Sequence, residues 1–130
     1  MIAEADKGSM IGSTTHTGAI ERYLEKLEHM QCVVAGTMDL PLHTYVVFLS
    51  AAIADRSGVP MDGRQLAEAC GLAASTISRN LGMLGEWDYK QKRGLGLVTL
   101  RAELENRRRK PVRLTAKGQR ALSQLLKERA

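Results

Sequence analysis

The chain has 130 residues, of which 44% are hydrophobic and 25% are charged, so it can build one hydrophobic core and has the composition of a globular protein rather than a disordered or collagen-like one. It contains no stretch near the ~20 consecutive apolar residues of a membrane helix and no signal-peptide pattern at its N-terminus, and its two cysteines are too few for a disulfide scaffold. These features argue against a membrane partner and predict a cytoplasmic protein.

Positive charge is concentrated in the C-terminal part of the chain. The formal net charge is +5, yet residues 1–78 carry five Lys and Arg against nine Asp and Glu, whereas residues 79–130 carry fourteen against five. Because phosphate neutralisation and counterion release supply most non-specific affinity for DNA, this polarity predicts one surface that meets a polyanion. A basic surface kept for solubility is the alternative interpretation.

The N-terminal part predicts a disordered arm followed by two helices. Residues 1–18 mix Gly, Ser and Thr with charges and show no apolar period, so we interpret them as the arm. From Ile20 onward apolar residues recur at spacings of three and four, which predicts a helix over residues 20–35 that ends at Gly36. A second helix is expected to begin after Pro41.

Two short helices separated by a glycine-containing turn come next. Asp62 is a suitable N-cap for a helix over residues 63–70, and Gly71 suits a turn position that needs a positive φ. Two helices joined by a turn of about four residues are the signature of a helix-turn-helix, and the second helix, residues 75–85, is then the recognition helix. Its inward face is expected to comprise Ile77, Leu81 and Leu84.

Residues 97–114 predict a β-hairpin, or wing, with a basic tip. Gly94 and Gly96 are expected to make its start flexible, residues 95–105 alternate with the period of a half-buried strand, and Pro111–Leu114 forms the returning strand. Thr115 is expected to cap a last helix. The apolar face of the first strand is expected to comprise Val98, Leu100, Ala102 and Leu104.

The residue types at these two elements are those that bind DNA. Arg pairs with guanine, Asn with adenine, and Ser or Thr with bases or phosphates, while a basic hairpin beside a recognition helix can enter the minor groove. An ordinary polar helix face and a solvated basic loop are the alternatives. The predicted DNA-binding residues are Ser75, Thr76, Ser78, Arg79 and Asn80 on the helix and Arg107, Arg108, Arg109 and Lys110 on the wing.

Two stretches of this chain resemble the MarR family of winged-helix regulators over roughly residues 20–129. The stretch GRQLAEACGLAASTISRNLGML is similar to the family's helix-turn-helix, and NRRRKPVRLTAKGQRAL is similar to its wing pattern. In that pattern an Asp-x-Arg is followed four residues later by Val and then by Leu-Thr-x-x-Gly. Asn106 stands where the family usually has Asp, which is thought to orient the wing arginine. The matching positions are Arg108, Val112, Leu114, Thr115 and Gly118.

The resemblance implies a mainly α fold with a small β-hairpin, that is, a winged helix-turn-helix over residues 19–130. It further implies a homodimer that reads a pseudo-palindrome, often as a repressor and sometimes under control of a small molecule or an oxidant. Family members usually carry a further helix that helps to form the dimer, whereas this sequence ends at Ala130. Residues 20–35 and 115–129 are therefore expected to supply the dimer contact.

Catalytic, cofactor and metal sites find little support in the sequence. No convergent Ser-His-Asp set or glycine-rich phosphate loop occurs, so the sequence predicts no enzyme and no cofactor. His29 lies one helical turn from Cys32, which could be a redox sensor, but a small apolar role for Cys32 and a structural role for Cys70 are the simpler interpretations. No metal site is expected. Trp87 and Tyr89 are expected to fill the base of the wing rather than a ligand pocket.

Two other functions remain open at this point. The first is a structural, replication or partition protein of a mobile element, which would coat double-stranded DNA with modest specificity. The second is a protein-interaction module that docks a partner through the acidic N-terminal half. The four consecutive cations of the wing favour DNA over the second alternative.

Overall fold

In the computed structural model the described residues are 10–86 and 93–127. They form five α-helices and one two-stranded antiparallel hairpin, which confirms the predicted mainly α fold with a small wing. The chain divides into two units after Gly36.

The described part of the first unit is one long helix. Helix α1 (Met10–Met30) continues through a π-helical segment (Gln31–Ala35), and Gly36 ends it with a φ of 62° and an N–H that donates to the Gln31 carbonyl over 3.1 Å. The end at Gly36 is as predicted. The start is not, because the helix begins within residues 1–18, the predicted arm. Once a helix is nucleated each added residue gains a hydrogen bond, so a helix can extend beyond its amphipathic part. Residues 1–9 of the predicted arm lie outside the described residues.

The second unit packs four helices and the hairpin around one core. Five large side chains from four of its elements are at most 1% exposed, namely Phe48, Leu66, Ile77, Leu84 and Val112. The elements of this unit are α2 (Leu42–Arg56), α3 (Gly63–Cys70), α4 (Ala74–Leu84), β1 (Val98–Leu100), β2 (Val112–Leu114) and α5 (Ala116–Leu126).

The predicted helix starts and turn are present in the second unit. Asp62 forms a capping box, in which its carboxylate accepts the Gln65 N–H over 2.9 Å and the Gln65 side chain accepts the Asp62 N–H over 3.0 Å. Gly71 ends α3 with a φ of 68°, in the left-handed region that glycine favours. The buried face of α4 includes the predicted Ile77, Leu81 and Leu84.

The hairpin is shorter than the alternating sequence predicts. Val98 pairs with Leu114 and Leu100 with Val112, and no described strand continues beyond Leu100. The predicted apolar face is wrong from this point, because Leu100 is 40% and Leu104 is 91% exposed and Ala102 is exposed too. Strand propensity depends on a surface to pack against, and β1 leaves the core of the second unit after Val98.

Candidate nucleic-acid interface

The solvent side of α4 carries most of the predicted recognition residues. Ser75, Ser78 and Arg79 are exposed and Thr76 is half-buried, all within the first two turns of the helix. These turns are the part of a recognition helix that enters the major groove with its side chains toward base edges. Hydroxyls and a guanidinium can donate to bases and to phosphates, so this face has the chemistry of a DNA reader.

Asn80 does not belong to that face. It is only 1% exposed; its Oδ1 accepts a 2.6 Å hydrogen bond from the Thr44 hydroxyl of α2, and its Nδ2 lies 3.3 Å from His43 Nδ1. The prediction that Asn80 reads a base is therefore corrected: its amide is occupied inside the protein. The spacing could have shown this, because Asn80 follows Ile77 by three and precedes Leu84 by four, the separations that place residues on one helix face.

The C-terminal end of α4 is held by the start of the wing. The amides of four consecutive residues, 94–97, donate to the carbonyls of residues 83–86 over 2.7–2.8 Å. Two of these carbonyls, those of Met83 and Leu84, belong to the last turn of α4, which a helix end leaves without intrahelical partners. Gly94 is required here because a Cβ at this position would overlap the Gly85 carbonyl oxygen. The sequence predicts a flexible start of the wing, whereas the structure pairs its four amides with these carbonyls. Trp87 and Tyr89 lie outside the described residues.

The Leu-Thr-x-x-Gly stretch fastens α5 to the other side of the wing base. The Thr115 hydroxyl accepts the Gly118 N–H over 3.0 Å, which confirms the predicted N-cap, and donates to the Gly96 carbonyl over 2.6 Å. The Thr115 N–H donates to the Leu97 carbonyl over 3.0 Å. A Cβ on Gly118 would overlap that same Leu97 oxygen, so glycine lets the helix approach the strand.

Helix α2 holds the returning strand. Asp55 Oδ2 accepts the Leu114 N–H over 3.0 Å, and Asp55 Oδ1 lies 3.5 Å from Arg113 Nη1. Together with the contacts of residues 94–97 and Thr115, this carboxylate fixes the base of the wing to both the recognition helix and the core. The base of the wing is thus hydrogen-bonded to α2, α4 and the start of α5, and the tip extends beyond these contacts.

The wing tip exposes three cations. Arg107, Arg108 and Lys110 are all exposed. Asn106 shapes the turn beneath them, since its side-chain oxygen accepts the Arg108 N–H over 3.2 Å and its carbonyl accepts the Arg109 N–H over 3.0 Å. The Asn106 side chain therefore orders the backbone of this turn.

The fourth predicted wing cation, Arg109, points toward the protein. Its Nη2 donates to the Pro60 carbonyl and to Gln65 Oε1, each over 2.8 Å. Its Nη1 lies 3.3 Å from Glu103 Oε2, and its Nε lies 3.8 Å from Asp62 Oδ2. No pattern in the sequence indicates these contacts, because the partners come from the loop before α3, from α3 itself and from the opposite limb of the wing.

A metal site, a reactive cysteine and a membrane helix each place structural requirements on the described residues. Among the described residues no three His, Cys, Asp or Glu side chains converge in a way that could hold a metal ion. Cys32 is exposed, while Cys70 is half-buried with its Sγ 3.5 Å from the Ser50 hydroxyl. No described helix is both long and apolar enough to cross a membrane.

These elements define a winged helix-turn-helix protein, and similar solved structures have the same fold. A MarR-like transcriptional regulator from Thermotoga maritima superposes with a TM-score of 0.57 at 19% identity, covering 93% of this chain and 74% of its own. The PcaV transcriptional regulator from Streptomyces coelicolor, solved with its natural ligand, gives a TM-score of 0.53 at 24% identity, covering 86% and 71%. A single-residue variant of MepR from S. aureus gives 0.55 at 15% identity, covering 85% and 72%.

The fold of the chain is therefore that of MarR-like winged-helix regulators. No protein-family model and no curated protein matches the sequence.

Proposed function

We propose that the protein binds double-stranded DNA in a sequence-specific manner and regulates transcription, as a repressor. The observation that carries this proposal is the joint geometry of α4 and the wing: the exposed Ser75–Arg79 face is coupled to a basic hairpin by hydrogen bonds from four consecutive amides. A recognition helix and a wing that are fixed to one another can engage adjacent grooves of one duplex without paying for mutual ordering at the moment of binding.

In this proposal the exposed residues of α4 recognise bases, and those of the wing bind the DNA backbone or the minor groove. On α4, Arg79 reads a base edge, with Ser75, Thr76 and Ser78 contacting bases or nearby phosphates. On the wing, Arg108 enters or borders the minor groove, and Arg107 and Lys110 neutralise backbone phosphates. Asn80 is no part of this set because it is buried.

We also propose that the protein acts as a homodimer through α1 and α5. Helix α1 presents a stripe of exposed apolar side chains at helical spacing, which an isolated helix in water has no reason to keep. The proposed contact spans residues 20–35 and 115–129, and a two-fold dimer would place two recognition helices on the half-sites of a pseudo-palindrome. The stripe consists of Ile20, Tyr23, Leu24 and Leu27, which are 49–72% exposed.

Selection of bound duplexes from a random library at ~150 mM salt, near physiological ionic strength, tests the proposal. The expected result is a pseudo-palindrome with half-site centres about one helical turn apart. Retained binding without any motif would support an architectural DNA-coating protein instead. Absence of binding even at low salt would overturn DNA binding and favour the protein-interaction module.

A further inference from the structure

The wing tip holds four consecutive cations, and one of them differs from the others in what its side chain contacts. Arg107, Arg108 and Lys110 are exposed, and their side chains make no hydrogen bond or ion pair with another described residue. Arg109 is half-buried and contacts four residues in three different segments. Equal charge therefore does not mean an equal role.

We propose that Arg109 is a positioning residue, which clamps the wing tip to the N-terminus of α3 and thereby fixes where Arg107 and Arg108 meet DNA. The inference rests on the proposed DNA-binding function. It assigns to Arg109 a role within the protein rather than a phosphate contact.

Two hydrogen bonds and two ion pairs already engage the Arg109 guanidinium within the protein. All three guanidinium nitrogens face acceptors: two neutral oxygens at 2.8 Å and two carboxylates, those of Glu103 and Asp62, at 3.3 and 3.8 Å. A DNA phosphate that drew this side chain away would leave both carboxylates without their shared cation. Two carboxylates around one guanidinium also cancel its positive charge locally, so Arg109 adds little to the attraction of DNA.

The geometry requires arginine rather than any cation. The guanidinium is planar with five donors in a fixed fork, whereas the lysine ammonium is a single point on a flexible stem. The contacts use separate nitrogens of this fork, because Nη2 donates to Pro60 and Gln65 whereas Nη1 faces Glu103. Gln65 and Asp62 are also the two residues of the α3 capping box, so the clamp is built on the fixed end of a helix.

The wing needs such a clamp because its own ladder is short. The paired strands are three residues long each, and a two-stranded ribbon is marginally stable in water without tertiary contacts. Beyond the strands the Glu103 N–H donates to the Arg109 carbonyl over 3.0 Å. Arg109 thus joins the two limbs of the wing through its backbone and its side chain, and links both to α3.

Salt-dependent DNA binding separates a clamp from a phosphate contact. Arg109→Gln is compared with Arg107→Gln, the matched loss of one charge from an exposed neighbour. A phosphate contact contributes about 0.9 to the slope of log K against log salt, so Arg107→Gln is expected to flatten the slope by that amount. Arg109→Gln is expected to leave the slope unchanged and to weaken binding roughly fivefold at every salt concentration, because the wing must then be ordered upon binding.

Glu103, an acidic partner of Arg109, gives a second test, because its removal should change DNA affinity in the direction opposite to that expected for an ordinary surface carboxylate. Removal of a carboxylate beside DNA normally strengthens binding, because it removes repulsion. Glu105→Ala, an exposed residue two positions away, is expected to follow that rule. Glu103→Ala is expected to weaken binding roughly threefold instead, because it removes a partner of the clamp. Arg109→Lys, which keeps the charge, is expected to weaken binding as Arg109→Gln does.

Amide hydrogen exchange in the free protein tests, without DNA, whether the Arg109 side chain orders the wing tip. Arg109→Gln is expected to speed exchange of the amides at positions 103 and 109 roughly tenfold, with no change at the core residue Phe48, whereas Arg107→Gln leaves amide exchange in the wing unchanged. Unchanged exchange in Arg109→Gln, or a salt slope flattened as in Arg107→Gln, overturns the clamp. If the unmodified protein binds no duplex while exchange responds as expected, the proposed function fails and the clamp stands.

Discussion

The Thr44 hydroxyl of α2 donates a 2.6 Å hydrogen bond to the Asn80 side chain of the recognition helix, and both residues are at most 1% exposed. Together with the buried Ile77, Leu81 and Leu84, this bond sets the rotation of α4 about its own axis. The same rotation directs Arg79, the adjacent residue, toward solvent. A buried polar pair of this kind therefore determines which side chains the helix presents.

Breaking this pair from one side is expected to destabilise the second unit. Thr44→Val leaves the buried Asn80 oxygen without its donor, which costs about 1–3 kcal/mol in the free energy of unfolding, measured by urea denaturation. The double variant Thr44→Val with Asn80→Leu removes both polar partners and is expected to recover part of that loss. Ser78→Ala, an exposed hydroxyl on the same helix, serves as the control. Equal stability of Thr44→Val and the unmodified protein would contradict the importance of the bond.

Arg79→Ala is expected to reduce sequence discrimination more than overall binding. A bidentate contact to a base edge contributes about 1–3 kcal/mol of discrimination, so affinity for the selected duplex should fall while affinity for random DNA changes little. Titrations of both duplexes at one salt concentration measure the difference. Arg56→Ala removes the same charge from an exposed position at the end of α2 and should leave the ratio unchanged. Equal losses of affinity for both duplexes would show that Arg79 contacts the DNA backbone rather than a base.

Arg108→Ala is expected to weaken binding to all duplexes alike. An arginine that lies on the phosphates or in the minor groove acts mainly through charge, so its loss should flatten the dependence of log K on log salt by about 0.9. Binding measured over a series of salt concentrations provides the slope. An unaltered slope would remove the wing tip from the proposed interface, whereas a motif change would show that Arg108 reads bases.

Gly118→Ala is expected to destabilise the protein although alanine favours helices. The added Cβ would overlap the Leu97 carbonyl oxygen, which forces α5 away from the wing base and costs about 1–3 kcal/mol, as overpacking usually does. The matched control is Gly63→Ala in α3, where the new Cβ would meet only side-chain atoms of Ile77 and Leu81 at 3.9 Å. Thermal unfolding compares the two variants. A Gly118→Ala protein as stable as Gly63→Ala would show that α5 can shift without cost.

Local signals in the sequence were enough for the helix-turn-helix. The capping box of Asp62, the left-handed Gly71 and the N-cap Thr115 depend on neighbours within five residues, so composition and spacing reveal them. The buried face of α4 followed from helical periodicity for the same reason. A basic hairpin after the recognition helix was likewise visible in the order of residue types.

Tertiary structure decided which of the polar residues remain available to a partner. Asn80 is hydrogen-bonded to Thr44, 36 positions earlier. Arg109 is hydrogen-bonded to Pro60 and Gln65, 49 and 44 positions earlier. The shortness of β1 depends on where the core ends beneath it. The sequence by itself determined the elements, because helix caps and periodic faces arise from neighbouring residues. Only the fold determined which individual donors and acceptors are bonded within the protein and which stay exposed, because a buried hydrogen bond needs a partner from a distant part of the chain.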